Sequence, residues 1–352
     1  MTDITSQLKE QLDAAIADQR PLNIVGGNSK AFYGRMAVGE TLAASAHRGI
    51  VNYEPTELVI TARAGTPLVD IEQALAEHRQ MLPFEPPHFG DTATLGGTIA
   101  CGFSGPRRPY SGSARDFVLG SKIINGKGEV LCFGGEVIKN VAGYDVSRMM
   151  TGAQGTLGIL LEVSLQVLPR AAFETTLVQQ CSEKEALQRM NAWAATSLPL
   201  SATCHVDDGL YVRLSGAETT VAASVKKIGG DRVDDGDGFW QDLREHRLPF
   251  FNGVDNLWRM TLPSAAPPLN LSGCQLIEWG GGQRWLASDD DAQAIRNSAI
   301  VIGGHATHYR GGQREGDVFQ PLSQGLWRLH QNMKHVFDPQ GILNPGRLYP
   351  GL

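Results

Sequence analysis

Glycine between residues 134 and 160 constrains this chain more than any other feature. Gly134, Gly135, Gly143, Gly152, Gly155 and Gly158 fall in that one stretch, which runs directly into the apolar segment 157–163. Glycine reaches positive φ and lets a ligand or a second chain segment approach without a Cβ in the way. An ordinary loop beside a buried strand has no need of so many. The pattern predicts main chain shaped around a large planar ligand. Two further small-residue turns point the same way: Gly26-Gly27-Asn28-Ser29 after the strand-like Leu22-Asn23-Ile24-Val25, and Thr94-Leu95-Gly96-Gly97 in a Pro- and Gly-rich region.

The 352-residue length predicts two domains. A hydrophobic content of 42% with 19% charged residues describes an ordinary globular protein, and the net charge of −6 gives no case for nucleic acid or an anionic membrane as a partner. The five cysteines (Cys101, Cys132, Cys181, Cys204 and Cys274) include no C-x-x-C pair, which argues against a disulfide framework, an iron–sulfur cluster or structural zinc. They are expected to be buried, reduced thiols. The first 20 residues are polar with no apolar signal-type run, and no apolar run approaches the ~18 residues of a membrane span. A cytoplasmic location is expected.

Periodicity predicts a helix over 5–19 with Leu8, Leu12, Ala15 and Ile16 on one stripe, ended by Pro21. Strands are expected at 22–25 and 58–63, then a helix with Pro67 first, Thr66 as its cap, and Leu68, Ile71 and Leu75 on its inner face. Further strands are expected at 117–124, 130–133 and 159–168, and Pro169 marks a domain boundary. Beyond it glycine thins out, and a helix near 183–196 with strands near 203–214 and 256–262 suggests a separate α/β domain. Residues 229–238, with four Asp and four Gly, read as an exposed loop. A last helix near 322–337 carries Leu322, Leu326, Leu329, Met333 and Val336 and is expected to pack on the body.

The turn of Gly26, Gly27, Asn28 and Ser29 has the residue content of a backbone nest for a pyrophosphate, or of a plain loop. It matches neither G-x-G-x-x-G nor the P-loop pattern, so neither nucleotide motif applies. Taken together, however, the segments form a recognisable series. It runs from Gly26-Gly27-Asn28-Ser29 through Glu85-Pro86-Pro87, Ala93-Thr94-Leu95-Gly96-Gly97, Gly135-Glu136-Val137-Ile138-Lys139-Asn140-Val141-Ala142-Gly143-Tyr144-Asp145 and Gly155-Thr156-Leu157-Gly158, to Phe337-Asp338-Pro339-Gln340-Gly341-Ile342-Leu343-Asn344-Pro345-Gly346. This series resembles the FAD-binding domain of the vanillyl-alcohol oxidase / p-cresol methylhydroxylase superfamily, in its 2-hydroxy-acid dehydrogenase branch, and within that branch the E subunits of bacterial glycolate oxidase.

The resemblance implies an α+β fold. A two-lobed p-cresol-methylhydroxylase-type FAD-binding domain would span 1–170 (lobes about 20–80 and 81–170). An α/β cap domain would follow at 171–300, and a C-terminal segment, 301–352, would return to the flavin side. It implies non-covalent FAD, because no His lies near Asn28 or Ser29 and Cys101 and Cys132 read as small buried residues. Gly26, Gly27, Asn28, Ser29, Thr94, Gly96 and Gly97 would wrap the pyrophosphate; Gly143, Gly155, Thr156 and Gly158 would follow the adenosine half; Asn344 would sit near the isoalloxazine ring. Lys139 and Arg115 either balance phosphate charge or are solvated cations.

Catalytic relatives carry an H-x-G-D-G-N-x-H metal run and a later Glu-His-Gly run. Here His205-Val206-Asp207-Asp208-Gly209 lacks the second His, and Gly304 stands in place of the Glu before His305. No metal is expected. His305 remains the candidate proton acceptor and Arg259 the candidate carboxylate holder, with Arg284 second. His305 and His308 also suit ordinary surface or core positions. The implied activity is oxidation of glycolate, a small 2-hydroxy acid, to glyoxylate, within a complex containing a homologous FAD-containing catalytic subunit and an iron–sulfur subunit. That complex would meet the inner face of the membrane through the partners. The alternatives are a self-sufficient 2-hydroxy-acid dehydrogenase and an NADPH-dependent cell-wall precursor reductase of the same superfamily.

Overall fold

The computed structural model describes residues 1–135 and 145–352. The 136–144 part of the glycine-rich motif, with Lys139 and Gly143, lies outside the described residues. The chain divides into two units: Met1–Phe103, Ser113–Pro169 and Arg314–Leu352 form the first, Ser104–Gly112 and Arg170–Gln313 the second.

In the first unit, α1 (Thr5–Ala17) forms because Leu8, Leu12 and Ala15 make one buried stripe at spacings of four and three. The following strand β1 (Leu22–Val25) pairs in parallel with β2 (Glu40–Ala43). Then come β3 (Ile50–Glu54), β4 (Val59–Arg63), α2 (Leu68–Glu77), α3 (Leu95–Cys101), β5 (Val118–Ile124), β6 (Val130–Gly134) and β7 (Ile159–Gln166). The strands from β3 onward form one antiparallel sheet, ordered β3-β4-β7-β5-β6. Every second residue of β7 from Ile159 to Leu165 is buried, and the strand meets two cores in turn along its length. Val163 and Leu165 join Ile71 and Leu75 of α2 and Ile99 of α3, while Ile159 and Leu161 join Leu8, Leu12, Leu22 and Leu343. Thr66 does not cap α2. Pro67 occupies the cap position, and the Thr66 hydroxyl bonds to the Gly49 N–H and carbonyl at 2.9 and 3.2 Å.

The second unit is built on an eight-stranded sheet. Its elements are β8 (Phe173–Gln180), α4 (Glu183–Ala194), β9 (Leu200–Val206), β10 (Gly209–Gly216), α5 (Glu218–Ile228), β11 (Asp231–Arg232), α6 (Gly236–Arg244), β12 (Asn256–Thr261), β13 (Cys274–Glu278), β14 (Gln283–Ala287), α7 (Ala292–Val301) and β15 (His305–Gly311). The strand order is β11-β8-β10-β9-β13-β14-β12-β15. Met190 of α4 and Val221 of α5 pack on Leu177 and Val212, and Ile295 and Ala299 of α7 pack on Met260 and Leu286. Two expectations need correction. The single strand expected at 203–214 is the hairpin β9–β10, turned by Asp207 and Asp208, both at positive φ. The loop expected at 229–238 contains a helix start, because the Asp235 carboxylate accepts the Gly238 N–H at 2.9 Å and opens α6.

The chain returns to the first unit through α8 (Gln324–Phe337), capped by Ser323. The expected packing stripe is offset: Leu326, Leu329 and Val336 are exposed, while Met333 and Phe337 touch the core and Lys334 is buried. The burial of a lysine explains the offset. Lys334 Nζ donates to the carbonyls of Thr156 (2.9 Å) and Leu343 (2.6 Å) and pairs with Asp338 at 2.7 Å. Asp338 in turn accepts the N–H groups of Ile342 and Leu343. The thiols also depart from expectation: Cys181 and Cys204 are buried, Cys101 is half-buried, and Cys132 and Cys274 are exposed.

Asp338→Ala would leave the Lys334 ammonium buried without its counter-charge, so a loss of about 3–5 kcal/mol is expected in urea unfolding, with much of it recovered when Lys334→Met is added. A second expectation concerns Glu278, which is buried and accepts the Trp285 indole N–H at 2.6 Å and an N–H of the Gln283 side-chain amide. Burial pushes its pKa from 4.5 up to about 7, against the opposing pull of the two hydrogen bonds and Arg259. The folded state therefore binds a proton that the unfolded state has lost between those two values. The stability from this group is full below pH 4.5 and declines as pH rises to about 7, by at most about 1.4 kcal/mol per pH unit. Urea midpoints measured from pH 4.5 to 7 should show that slope, and Glu278→Gln should flatten it.

Candidate functional site

The turn after β1 is shaped by close approach of its neighbour. A Cβ on Gly27 would lie 1.4 Å from the Thr92 carbonyl oxygen, and one on Gly26 would lie 2.7 Å from Thr94 Oγ1. Asn28 follows at φ 60°. Thr94 is the cap of α3, its hydroxyl accepting the Gly97 N–H at 3.3 Å. Gly96 packs on Ala64, where an added Cβ would lie 2.7 Å from the Ala64 Cβ.

These segments enclose a cavity of about 440 Å³ within the first unit. Gly26, Gly27, Asn28 and Ser29 line it, as do Thr94, Gly96, Gly97, Gly155, Gly158 and Asn344. Thr156 is not part of the wall; it is buried and its hydroxyl donates to the Ala153 carbonyl at 2.7 Å. Arg115 is exposed on a short helix and does not line the cavity. Most of the glycines serve chain-to-chain packing. A Cβ on Gly155 would meet Asn344 Nδ2 at 2.7 Å, and one on Gly158 would meet Ile123 and the Ile124 carbonyl at 3.0 Å. At Gly97 the nearest atom is its own cap hydroxyl, at 3.2 Å, so there the missing Cβ leaves room in the cavity. Asn344 is a strut: its Oδ1 accepts the Ile24 N–H and its Nδ2 donates to the Gln154 carbonyl, both at 2.6 Å.

The wall also carries Lys30, Arg35, Arg314 and Arg347, and among the described residues it carries no Asp or Glu. Lys30 donates to the His88 carbonyl at 3.0 Å and to Ser29 Oγ at 3.2 Å. The arginines stitch loops together through backbone carbonyls: Arg35 to Gly346, Arg314 to Gly34, Arg347 to Ala31. Burial, followed by the charge of Arg347, lowers the Arg314 pKa to about 10. The sequence reading passed over these four cations. Lys30 and Arg347 adjoin the glycine motifs without a spacing of their own, and Arg35 and Arg314 stand in stretches without any pattern. Cys101 also lines the cavity.

In the second unit the β12–β15 register sets Thr261 opposite His305 and Arg259 opposite Thr307. Arg259 lies 5.5 Å from the Tyr309 ring centroid. His305 is exposed at the strand start, and desolvation by its neighbours, then the charge of Arg259, lowers its pKa. It is therefore neutral, and able to accept a proton, at neutral pH. Gly304 cannot be exchanged for a glutamate in place: a Cβ there would lie 2.4 Å from the Thr261 carbonyl oxygen and 2.5 Å from Leu262. His308 stacks on Trp258 with centroids 4.7 Å apart and reaches Asn256. His205 is buried against the Cys181 carbonyl at 2.9 Å. Among the described residues no three His, Cys, Asp or Glu side chains come together as a metal site would need. Arg284 is fully buried and donates to the carbonyls of Pro267 and Ala266, which makes it a clamp and removes it as a carboxylate holder.

Comparison with known proteins agrees with this geometry. Residues 3–134 match the FAD binding domain family and residues 305–348 match the C-terminal domain of FAD linked oxidases. The chain is 53% identical over 350 residues to glycolate oxidase subunit GlcE of Escherichia coli, covering 99% of both chains. It is 30% identical over 129 residues to glycolate oxidase subunit GlcD of Bacillus subtilis, a match confined to 37% of this chain and 27% of that one. Its fold is that of p-cresol methylhydroxylase, with a TM-score of 0.76 at 15% identity over 98% of this chain and 87% of that structure. This chain belongs to the family of glycolate oxidase subunit GlcE, among the FAD-linked oxidases.

Proposed function

We propose that this chain is the FAD-binding subunit of a glycolate oxidase complex, which oxidises glycolate to glyoxylate and passes the electrons to companion subunits. The observation that carries this is the first unit's cavity: among the described residues its wall has four cations, a glycine turn and no carboxylate, in a chain of net charge −6. A wall of that composition suits an elongated dianion with uncharged ends, as a flavin adenine dinucleotide is. Lys30, Arg35, Arg314 and Arg347 would neutralise the diphosphate, the turn at 26–29 would supply backbone N–H groups, and Gly97 leaves room beside them. When bound, FAD supplies an acceptor for the two electrons released as the C2 hydroxyl of the substrate becomes a carbonyl. Among the described residues no His lines the wall, which favours non-covalent attachment.

Arg259 would hold the substrate carboxylate and His305, neutral at working pH, would take the hydroxyl proton. The steric bar at Gly304 supports a chain with no metal role of its own, and so favours a subunit over a self-sufficient dehydrogenase. The match of 305–348 to FAD linked oxidases favours oxidation of a hydroxy acid over the reductase alternative. The companions would be a homologous FAD-containing catalytic subunit and an iron–sulfur subunit. No helix of the described residues is long and apolar enough to cross a membrane, so a cytoplasmic chain would reach the inner membrane face through those companions.

The purified chain should be yellow and release FAD on heating; a colourless protein that cannot take up added FAD would refute the cavity assignment. Because the wall is cationic, the FAD dissociation constant should rise with salt. Alone, the chain should reduce a dye with glycolate weakly or not at all, whereas the complex should be active and should lose that activity when this subunit is deleted. Full turnover by the isolated chain would instead support the self-sufficient reading.

A further inference from the structure

We infer that the side-chain amide of Gln154 contacts the cofactor directly, an inference that rests on the cavity being the FAD site. Gln154 lines the cavity and is 6% exposed. Its Oε1 is buried without a hydrogen-bond partner. Native interiors keep few such atoms, because an unpaired buried amide oxygen has lost its water and gained nothing in return. The backbone gives a second, independent sign. Gln154 sits at φ 49°, a left-handed conformation that a long, non-local side chain does nothing to stabilise. Two bonds hold the main chain there: its N–H donates to the Ala100 carbonyl at 2.9 Å, and its carbonyl accepts Asn344 Nδ2 at 2.6 Å. Neither involves the side chain, and a glycine would satisfy both with less strain, as Gly152 and Gly155 do beside it at φ 87° and 73°. The fold retains a polar side chain where conformation favours none and gives its Oε1 no internal partner.

The chemistry of the amide narrows what it meets. A diphosphate only accepts hydrogen bonds, and the cations of the wall already suit it. An amide offers both a carbonyl acceptor and N–H donors, matching an uncharged part of the ligand with mixed donors and acceptors. The flavin ring edge with its ribityl chain and the adenosine share that character. Gln154 lies beside the wall cations: a Cβ on Gly34 would be 2.4 Å from its Oε1 and 3.2 Å from Arg347 Nε.

The test uses the full chain stripped of FAD, as wild type, Gln154→Met and Gln154→Gly. Melting temperatures of the stripped proteins and dissociation constants for FAD, FMN and ADP are measured. Removal of an orphan amide should leave the stripped variants as stable as wild type or more so, while FAD affinity falls about tenfold to a hundredfold. A loss shared by FMN assigns the contact to the flavin half, and a loss shared by ADP assigns it to the adenosine half. Unchanged FAD affinity in both variants overturns the inference. So does a stripped protein that melts several degrees lower in both variants, since the amide would then be structural. Failure of the wild type to bind FAD is a different result, refuting the cavity assignment itself.

Discussion

The Asn344 carboxamide joins the β1 backbone at Ile24 to the Gln154 turn, segments 320 and 190 residues away from it in the chain. Around this strut, Leu22 donates to the Ile342 carbonyl and accepts from the Asn344 N–H, so the C-terminal segment runs beside β1 like a further strand. The Lys334–Asp338 pair fixes the same segment from below by gathering the N–H groups and carbonyls of 342–343 and the Thr156 carbonyl. Asn344 itself sits at φ 43°, and asparagine is among the few residues other than glycine that tolerate this conformation. A cavity whose walls come from three distant parts of the sequence holds its shape only because these polar contacts are mutually satisfied and shielded from water.

Much of this was legible in the sequence, and what was legible shares a cause. α1 and α2 announce themselves through one-sided apolar spacing, and the glycine turns mark places where backbone meets backbone. The family resemblance rests on those same turns. What the glycines are for was less legible. At Gly27, Gly96 and Gly158 the absent Cβ makes room for Thr92, Ala64 and Ile123. A sequence records that space is needed but not what fills it. The four wall cations were invisible for a related reason: Arg35 and Arg314 become neighbours of Arg347 only through folding, and no local spacing encodes that. The α8 stripe misled because a hydrophobic pattern does not anticipate a buried lysine with an aspartate four residues on.

In the second unit a side chain at position 304 is barred sterically. The strand that carries His305 keeps its register with β12, and the carbonyl of Thr261 fills the space where a side chain at 304 would begin. Placing a carboxylate there requires β12 to move, so the bar is built into the sheet. Nearby, Glu278 and Trp285 form a buried polar pair that keeps a proton near neutrality.

The dependence of the N-terminal cavity on residues 344 and 347 has a consequence for how the protein is made. At a synthesis rate of roughly 5–20 residues per second, the β1 turn leaves the ribosome on the order of a quarter of a minute to a minute before Asn344 exists. During that interval the glycine turn and Lys30 lack the part of their wall that Arg314, Asn344 and Arg347 supply, and the nascent chain has no complete compartment. The compartment is complete only once Arg314, Asn344 and Arg347 have been made, so a chain that stops short of them lacks part of its wall.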